Sequence, residues 1–240
     1  MRYTRGFTFI EMLVVIAVLA LMIGALLPVV GKAKRQAYNL VCQSNLRQFG
    51  TLLHAYAEDN DKRFFAGYYE YTDPDGNEHH CSRKDLWAVA LEPYYENHKV
   101  MLCPLADEKL DYISSFSAWG EPDNLPFFGS YSLNAWICDP PPYIVETEGH
   151  DTSKSWRRSD VGPAGRIPVL ADGLWECGRP EDEDLPPDYE AQPWYDVGGK
   201  YVNHLRRYCP NRHESAVNML FLDGSVMPTA IKQLWQLKWN

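Results

Sequence analysis

The sequence lacks the short motifs that mark several common enzyme and metal-binding classes. It contains no serine nucleophile elbow, no phosphate-binding loop and no His-Glu-x-x-His pair, so none of these local signals indicates catalysis. Its six cysteines occur singly, without a Cys-x-x-Cys pair, which excludes the zinc-ribbon pattern. We therefore expect a protein that is not an enzyme and that binds no cofactor.

Positive charge is also scarce. The 240 residues carry 23 Lys and Arg against 32 Asp and Glu, which gives a formal net charge of −9. Such an acidic chain repels the phosphates of nucleic acid, so no nucleic-acid partner is expected. The pair Arg206 and Arg207 leaves open a local basic patch, although solvated surface charge is the favoured interpretation of these two residues.

The N-terminal stretch from Phe7 to Val30 contains 24 residues and a single charge, Glu11. At about 1.5 Å per residue, a helix of this length covers the roughly 30 Å hydrocarbon core of a membrane. A cleaved secretory signal has a shorter apolar run that ends in small residues of the Ala-x-Ala kind, whereas this run ends at Leu27 to Lys32. The stretch therefore predicts a single transmembrane helix.

Glu11 needs a partner in this setting, because a lone carboxylate near the start of a membrane-embedded helix costs on the order of 3 kcal/mol. None of the 19 residues that follow it is basic. The partner is therefore expected to be Arg5, which precedes the span, or a positive charge from another molecule.

The segment from Gly6 to Glu11 resembles the processing site of the type IV prepilin family. The resemblance implies that a prepilin peptidase and methyltransferase cuts after Gly6 and methylates the new N-terminal Phe7. It also implies that Glu11, the fifth mature residue, serves in assembly with other pilin-like subunits, and Pro28 falls where such proteins carry a helix-kinking proline. The implied location is a single pass through the inner membrane, with a cytoplasmic N-terminus and a periplasmic or extracellular head.

The predicted fold class is α+β, a long N-terminal helix packed on an antiparallel-sheet head. The helix is expected to continue past the membrane as far as Asp59, because its apolar residues keep recurring at spacings of three and four. This apolar stripe consists of Tyr38, Cys42, Leu46, Phe49, Leu53 and Tyr56. The expected regions are a cleaved leader at 1–6, a membrane or filament helix at 7–30, its amphipathic continuation at 31–59 and the head at 60–240, with a loop-rich insertion at about 104–190 and a C-terminal hairpin at about 213–230.

Local patterns within the head predict shorter elements. Short strands are expected at 131–137 and 167–171, and a hairpin at 68–80 around an Asp-Gly turn. Residues 82–85 resemble a capping box that opens a short helix.

The C-terminal segment carries a second resemblance. His213, nine further residues and then Asp223-Gly224 are similar to the His-x9-Asp-Gly domain of many prepilin-like proteins. The residues themselves predict a buried strand at 216–222 and a hairpin turn at Asp223-Gly224, so a structural role is favoured over a catalytic one. A metal site formed by His213 with Asp172, which follows another predicted strand, stays open as an alternative.

The cysteines of an exported protein are expected to form disulfides, since the oxidising compartment favours them. Sequence alone does not select the connectivity, and the pairing that we favour is Cys42 with Cys103. Two metal alternatives stay open: the ligands His79, His80 and Cys81, and a calcium ion on the acidic run 181–184, for which a solvated loop is the favoured interpretation. The full set of disulfide candidates is Cys42, Cys81, Cys103, Cys138, Cys177 and Cys209.

These observations predict a minor pilin or pseudopilin that assembles through its N-terminal helix into a filament of a type II secretion or type IV pilus-like machine. The alternative is a membrane-anchored surface module that binds carbohydrate or another ligand. Such a module would stack its ligand on exposed aromatic rings, whereas a subunit of the first kind would bury them. The rings that distinguish the two are Trp119, Trp136, Trp175 and Trp194.

Overall fold

The structure, a computed structural model, describes residues 7–67, 70–72, 78–80, 86–106, 115–120, 128–147, 150–181, 184, 204–208 and 210–240. Residues 70–72, 78–80, 146–147 and 150 are described through their backbone alone. The chain divides into two compact units, the N-terminal unit Met1–Leu40 and the C-terminal unit Val41–Asn240. A long helix with an apolar N-terminal part precedes a mixed five-stranded sheet, which confirms the predicted α+β class.

Helix α1 spans Phe9–Asp59 and ends at the residue where the sequence pattern predicts its end. It continues through Pro28, which removes one backbone hydrogen bond without ending the helix. Every side chain from Phe7 to Val30 is exposed. Among the described residues, α1 is the helix that is long and apolar enough to cross a membrane, judged by its length and composition.

Within the C-terminal unit, α1 buries one face of its last five turns. The spacing of three and four residues keeps these side chains on one side of the helix, as the predicted stripe requires. Tyr56, at the C-terminal end of that stripe, is only partly buried, and Tyr38, at its other end, belongs to the N-terminal unit. The buried residues of the helix are Cys42, Asn45, Leu46, Phe49, Leu53 and Ala57.

The main sheet has the strand order β7-β3-β6-β8-β9, and two further pairs, β1 with β2 and β4 with β5, form small antiparallel ribbons. Strands β3 and β6 lie within the loop-rich region 104–190 and confirm the strands predicted there at 131–137 and 167–171, although β3 already ends at Asn134. The strands are β1 Glu70–Thr72, β2 Glu78–His80, β3 Tyr131–Asn134, β4 Glu146–Thr147, β5 His150–Asp151, β6 Pro168–Asp172, β7 Cys177–Gly178, β8 Ala216–Phe221 and β9 Val226–Ala230.

The sequence predicts an antiparallel sheet, and the observed sheet is mixed because one pairing in it is parallel. Strand β3 pairs antiparallel with β6 but parallel with β7, although β7 follows β6 after only a short connection. The connection crosses β3 at Gly173, where a Cβ atom would collide with the side chain of Ser132. The missing side chain at Gly173 therefore allows the chain to cross closely over β3 and to pair on its other edge.

Two clusters of buried apolar residues form the core of the C-terminal unit. Phe49 of α1 lies edge-on to Trp87 and Tyr131 in the first cluster, with ring centroids 5.6 and 6.0 Å apart. Along β8, Leu220 belongs to the first cluster whereas its neighbour Met219 belongs to the second, as the alternation of side chains along a strand requires. The sheet thus contributes to both clusters.

The remaining elements are short. The backbone of β1 and β2 confirms the predicted hairpin at 68–80, whose turn at 73–77 lies outside the described residues, as does the predicted capping box at 82–85. The short helices are α2 Trp87–Ala90 and the 3-10 turns Glu92–Tyr94, His98–Met101, Thr152–Lys154, Ala164–Arg166, His204–Tyr208 and Ile231–Gln236.

The hairpin of β8 and β9 turns at Asp223 and Gly224, the two residues for which the sequence predicts a turn. Gly224 has a φ of 81°, a conformation that residues with a side chain rarely adopt. The Gly224 N–H donates to the Phe221 carbonyl at 2.9 Å, and Asp223 Oδ1 accepts the Ser225 N–H at 2.9 Å. The motif His-x9-Asp-Gly thus ends in a turn that needs its glycine.

We expect Gly224→Val to lower the free energy of unfolding by about 1–3 kcal/mol, because a side chain at positive φ strains the backbone. A Cβ atom at Gly224 meets nothing within 4 Å, so the strain is conformational and not a clash. Gly162→Val is the matched control, since Gly162 has the same open space without a positive φ. Thermal melting of the full chain in detergent measures both variants, and equal melting temperatures would contradict this role of Gly224.

Candidate functional site

The first turn of α1 contains a reciprocal capping box. The backbone N–H and the hydroxyl of Thr8 both donate to Glu11 Oε2, each at 2.8 Å. In return the Glu11 N–H donates to Thr8 Oγ1 at 3.2 Å. This is the Ser/Thr-x-x-Glu arrangement that satisfies the free N–H groups at a helix start.

This local partner differs from the two partners predicted for Glu11. The Thr-x-x-Glu spacing is the sequence signal that indicates it, and a search for positive charges alone passes over it. Arg5, the charged partner within the chain that the sequence suggests, lies outside the described residues, as does Gly6. Phe7 is exposed at the start of the described chain.

Four buried side chains converge inside the C-terminal unit, namely Cys42, Cys103, Asp172 and His213. Cys42 lies on α1, Cys103 follows the turn His98–Met101, Asp172 ends β6 and His213 precedes β8. One sulfur, oxygen or nitrogen atom from each lies within 4.8 Å of all the others. We call these four residues the Cys-His-Asp cluster.

The contacts inside the Cys-His-Asp cluster are short. Cys42 Sγ lies 3.4 Å from Asp172 Oδ1, and Cys103 Sγ lies 3.4 Å from His213 Nε2. His213 Nε2 is also 3.3 Å from Asp172 Oδ2. His213 therefore presents Nε2 to the cluster, whereas its Nδ1 has no hydrogen-bond partner among the described residues.

Arg212 compensates the charge of Asp172. Its guanidinium lies 3.7 Å from Asp172 Oδ1, and both side chains are fully buried. The Asn218 N–H donates to Asp172 Oδ2 at 2.8 Å, which fixes the carboxylate further. The same guanidinium donates at 2.6–3.1 Å to four backbone carbonyls, those of Ser115, Ser117, Ser130 and Gly173.

These contacts change the acidity of the clustered groups. Hydrogen bonding with Cys42 lowers the pKa of Cys103 to about 6, with further help from His213 and Arg212 and against the opposing effect of burial. Burial raises the pKa of Cys42 well above its usual value. Burial also acts to lower the pKa of His213, but its contacts with Asp172 and Cys103 outweigh that effect and raise the pKa to about 9. Cys103 is therefore the more acidic of the two thiols.

The fold brings together two pairs that the sequence suggests separately. His213 and Asp172 are the alternative metal pair, and Cys42 and Cys103 are the favoured disulfide pair. Both cysteines are unbonded in the structure, so the disulfide stays a prediction. Asp223 is exposed in the hairpin turn, where it contacts local backbone.

The other predicted disulfide and metal-binding residues lie outside the Cys-His-Asp cluster, or their side chains are not described. Cys138 and Cys177 are buried outside the Cys-His-Asp cluster, and neither forms a disulfide within the described part of the chain. Cys81 and Cys209 lie outside the described residues, and His79 and His80 are described through their backbone alone.

Two of the four tryptophans proposed for a ligand groove belong to the core. Trp119 and Trp136 are 3% and 0% exposed, and their indole N–H groups donate to the carbonyls of Tyr131 and Pro180. Trp175 is partly buried, and Trp194 lies outside the described residues.

The acidic run 181–184 is described at its two ends. Glu181 accepts a hydrogen bond from Lys154 Nζ at 2.6 Å, and Asp184 accepts one from the Leu205 N–H at 3.2 Å. Both carboxylates thus have protein partners.

A match to a known family lies at the N-terminal end of the chain. Residues 1–27 match the family model described as the prokaryotic N-terminal methylation motif. The chain carries this methylation motif. The motif supports a type IV pilin-like or pseudopilin-like protein, a structural subunit that a prepilin peptidase processes, and the apolar helix fits a single-pass membrane anchor.

The remaining comparisons add no relative. No curated protein and no solved structure matches the chain. The C-terminal resemblance to the His-x9-Asp-Gly domain therefore stays a prediction.

We expect Arg212→Leu to lower the free energy of unfolding by about 3–5 kcal/mol, because it leaves the buried Asp172 without its countercharge. Arg158→Leu is the control: its ion pair with Asp160 is solvent-exposed, so the unfolding midpoint should change little. Urea unfolding of the full chain in detergent, followed by tryptophan fluorescence, compares the two. Similar decreases in the free energy of unfolding of both variants would contradict the role of Arg212 as the countercharge of Asp172.

Proposed function

We propose that this protein is a minor pilin or pseudopilin that joins a filament of a type II secretion or type IV pilus-like machine through α1. The observation that carries the proposal is the methylation motif at residues 1–27, which includes most of the exposed apolar part of α1. Side chains of this kind need lipid or other apolar helices around them. A filament supplies helices, and the membrane supplies lipid before assembly.

Glu11 gives this assembly its register. Cleavage after Gly6 leaves Phe7 with a free amine, four residues from Glu11. In a bundle of staggered helices, the carboxylate of one subunit meets the amine of a neighbour, and the pair neutralises both charges in apolar surroundings. Since an unpaired charge there costs several kcal/mol, one axial offset between neighbours is favoured over others.

The same proposal gives the protein its orientation. The leader at 1–6 faces the cytoplasm, where the peptidase acts, and the residues after the membrane helix face the periplasm or the exterior. The carbohydrate-binding alternative is weakened because Trp119 and Trp136 lie in the core.

Glu11→Ala and Glu11→Gln together test the register role. Glutamine can keep the capping contacts with Thr8 but carries no charge, whereas alanine loses both. We expect both variants to be cleaved normally but to be poorly incorporated into filaments, because neither can form the charge pair with a neighbour's amine. Glu58→Gln, on the exposed face of the same helix, is the control. Co-purification with the assembly measures incorporation, and wild-type incorporation of Glu11→Gln would show that capping alone matters.

Gly6→Ile tests processing separately. A branched side chain at the cut should block the peptidase and leave the longer precursor in the membrane. The mass of the N-terminal peptide decides this result, and the expected wild-type peptide begins with methylated Phe7. An unmethylated or uncut wild-type N-terminus would contradict the proposed processing.

A further inference from the structure

We propose that the Cys-His-Asp cluster is a zinc site in which Cys42, Cys103, Asp172 and His213 each supply one ligand to a single Zn²⁺ ion. The four ligands come from four different segments of the C-terminal unit, between residues 42 and 213, and the structure places them together without a local sequence motif. The sequence predicts no cofactor, and the proposal departs from that expectation because the ligand set exists only in the folded chain.

The distances fit a tetrahedral ion. With Zn–S bonds of about 2.3 Å and Zn–N or Zn–O bonds of about 2.0 Å, the edges of a tetrahedron are about 3.3–3.8 Å long. Cys42 Sγ to Asp172 Oδ1 is 3.4 Å, Cys103 Sγ to His213 Nε2 is 3.4 Å and His213 Nε2 to Asp172 Oδ2 is 3.3 Å. These three contacts have the length of tetrahedral edges, with Cys42 next to Oδ1 and His213 next to Oδ2 of Asp172. One ligand atom from each residue lies within 4.8 Å of the others, so modest side-chain shifts bring the four atoms to the separations that a single zinc ion requires.

The ligand types select the metal. Two sulfurs and one imidazole favour zinc and other borderline or soft ions, whereas calcium and magnesium prefer sites made of oxygen. The chain supplies all four ligands of a tetrahedron, which is typical of structural zinc and not of catalytic zinc, where water takes one position. A structural ion here would cross-link α1, the segment after His98–Met101, the end of β6 and the start of β8.

The surrounding charges fit such an ion. Two thiolates and a carboxylate carry three negative charges, and Zn²⁺ leaves one of them uncompensated. Arg212, fully buried 3.7 Å from Asp172, supplies the balancing positive charge. A neutral total matters because the cluster is buried, and an uncompensated charge away from water costs several kcal/mol.

A disulfide between Cys42 and Cys103 is the competing outcome, and it explains fewer of the contacts. A disulfide needs only the two sulfurs, whereas the carboxylate of Asp172 and Nε2 of His213 also point at them. A cavity of about 830 Å³ is lined by Asn45 and Cys103 as well as the exposed Gln48, so it lies beside the cluster.

The first test uses the full chain purified in detergent, reduced, stripped with a chelator and reloaded. We expect one Zn²⁺ per chain by elemental analysis, and with Co²⁺ the visible absorption of a tetrahedral site together with a thiolate-to-cobalt band. The cobalt spectrum reports the ligand set of the wild-type protein, so this test does not depend on a variant that folds. Absence of both signals would overturn the proposal.

The second test assigns the ligands. Cys42→Ser should lose the bound zinc and the cobalt spectrum, whereas Cys138→Ser, a buried cysteine outside the cluster, should keep both. A full cobalt spectrum in Cys42→Ser would overturn the assignment. A peptide cross-linked between Cys42 and Cys103 as the main species of the native protein would overturn it too, in favour of the disulfide. Neither result affects the filament test at Glu11.

Discussion

The C-terminal unit depends on the contacts that the buried carboxylate of Asp172 makes with its neighbours. The carboxylate contacts Cys42 from the helix, Asn218 from the neighbouring strand, and Arg212 and His213 from the segment before that strand. A buried charge without its countercharge is strongly destabilising, so this carboxylate needs Arg212 beside it. The helix, the sheet and the loop that carries Arg212 are therefore fixed together at one point.

Sequence patterns predict well those elements that depend on neighbouring residues in the chain. The end of α1 at Asp59 follows from loss of the apolar period, and the β8–β9 turn follows from Asp223-Gly224. The parallel pairing of β7 has no such signal, since it depends on Gly173 crossing over Ser132, a contact between residues far apart in the chain. A glycine in a sequence does not reveal which side chain will lie against it.

The Cys-His-Asp cluster shows that local sequence patterns also do not reveal a site that forms only in the folded chain. Each of its residues can be named from sequence, and two pairs can even be suggested, but their convergence depends on tertiary packing. Arg212 is the clearest case: nothing in its sequence neighbourhood indicates that this arginine is fully buried and donates to four carbonyls. The capping box is the opposite case, because Thr8 and Glu11 carry a readable local signal.

The capping box of Thr8 and Glu11 lies on the C-terminal side of the proposed cleavage site. The box begins at Thr8, so the proposed cleavage after Gly6 would remove neither of its members. The Glu11 carboxylate therefore has two donors from within its own chain, on the C-terminal side of the proposed cut. Both Thr8 donors bind Oε2. In the proposed filament, a neighbour's amine can therefore bind Oε1 of the same carboxylate while the capping box stays in place.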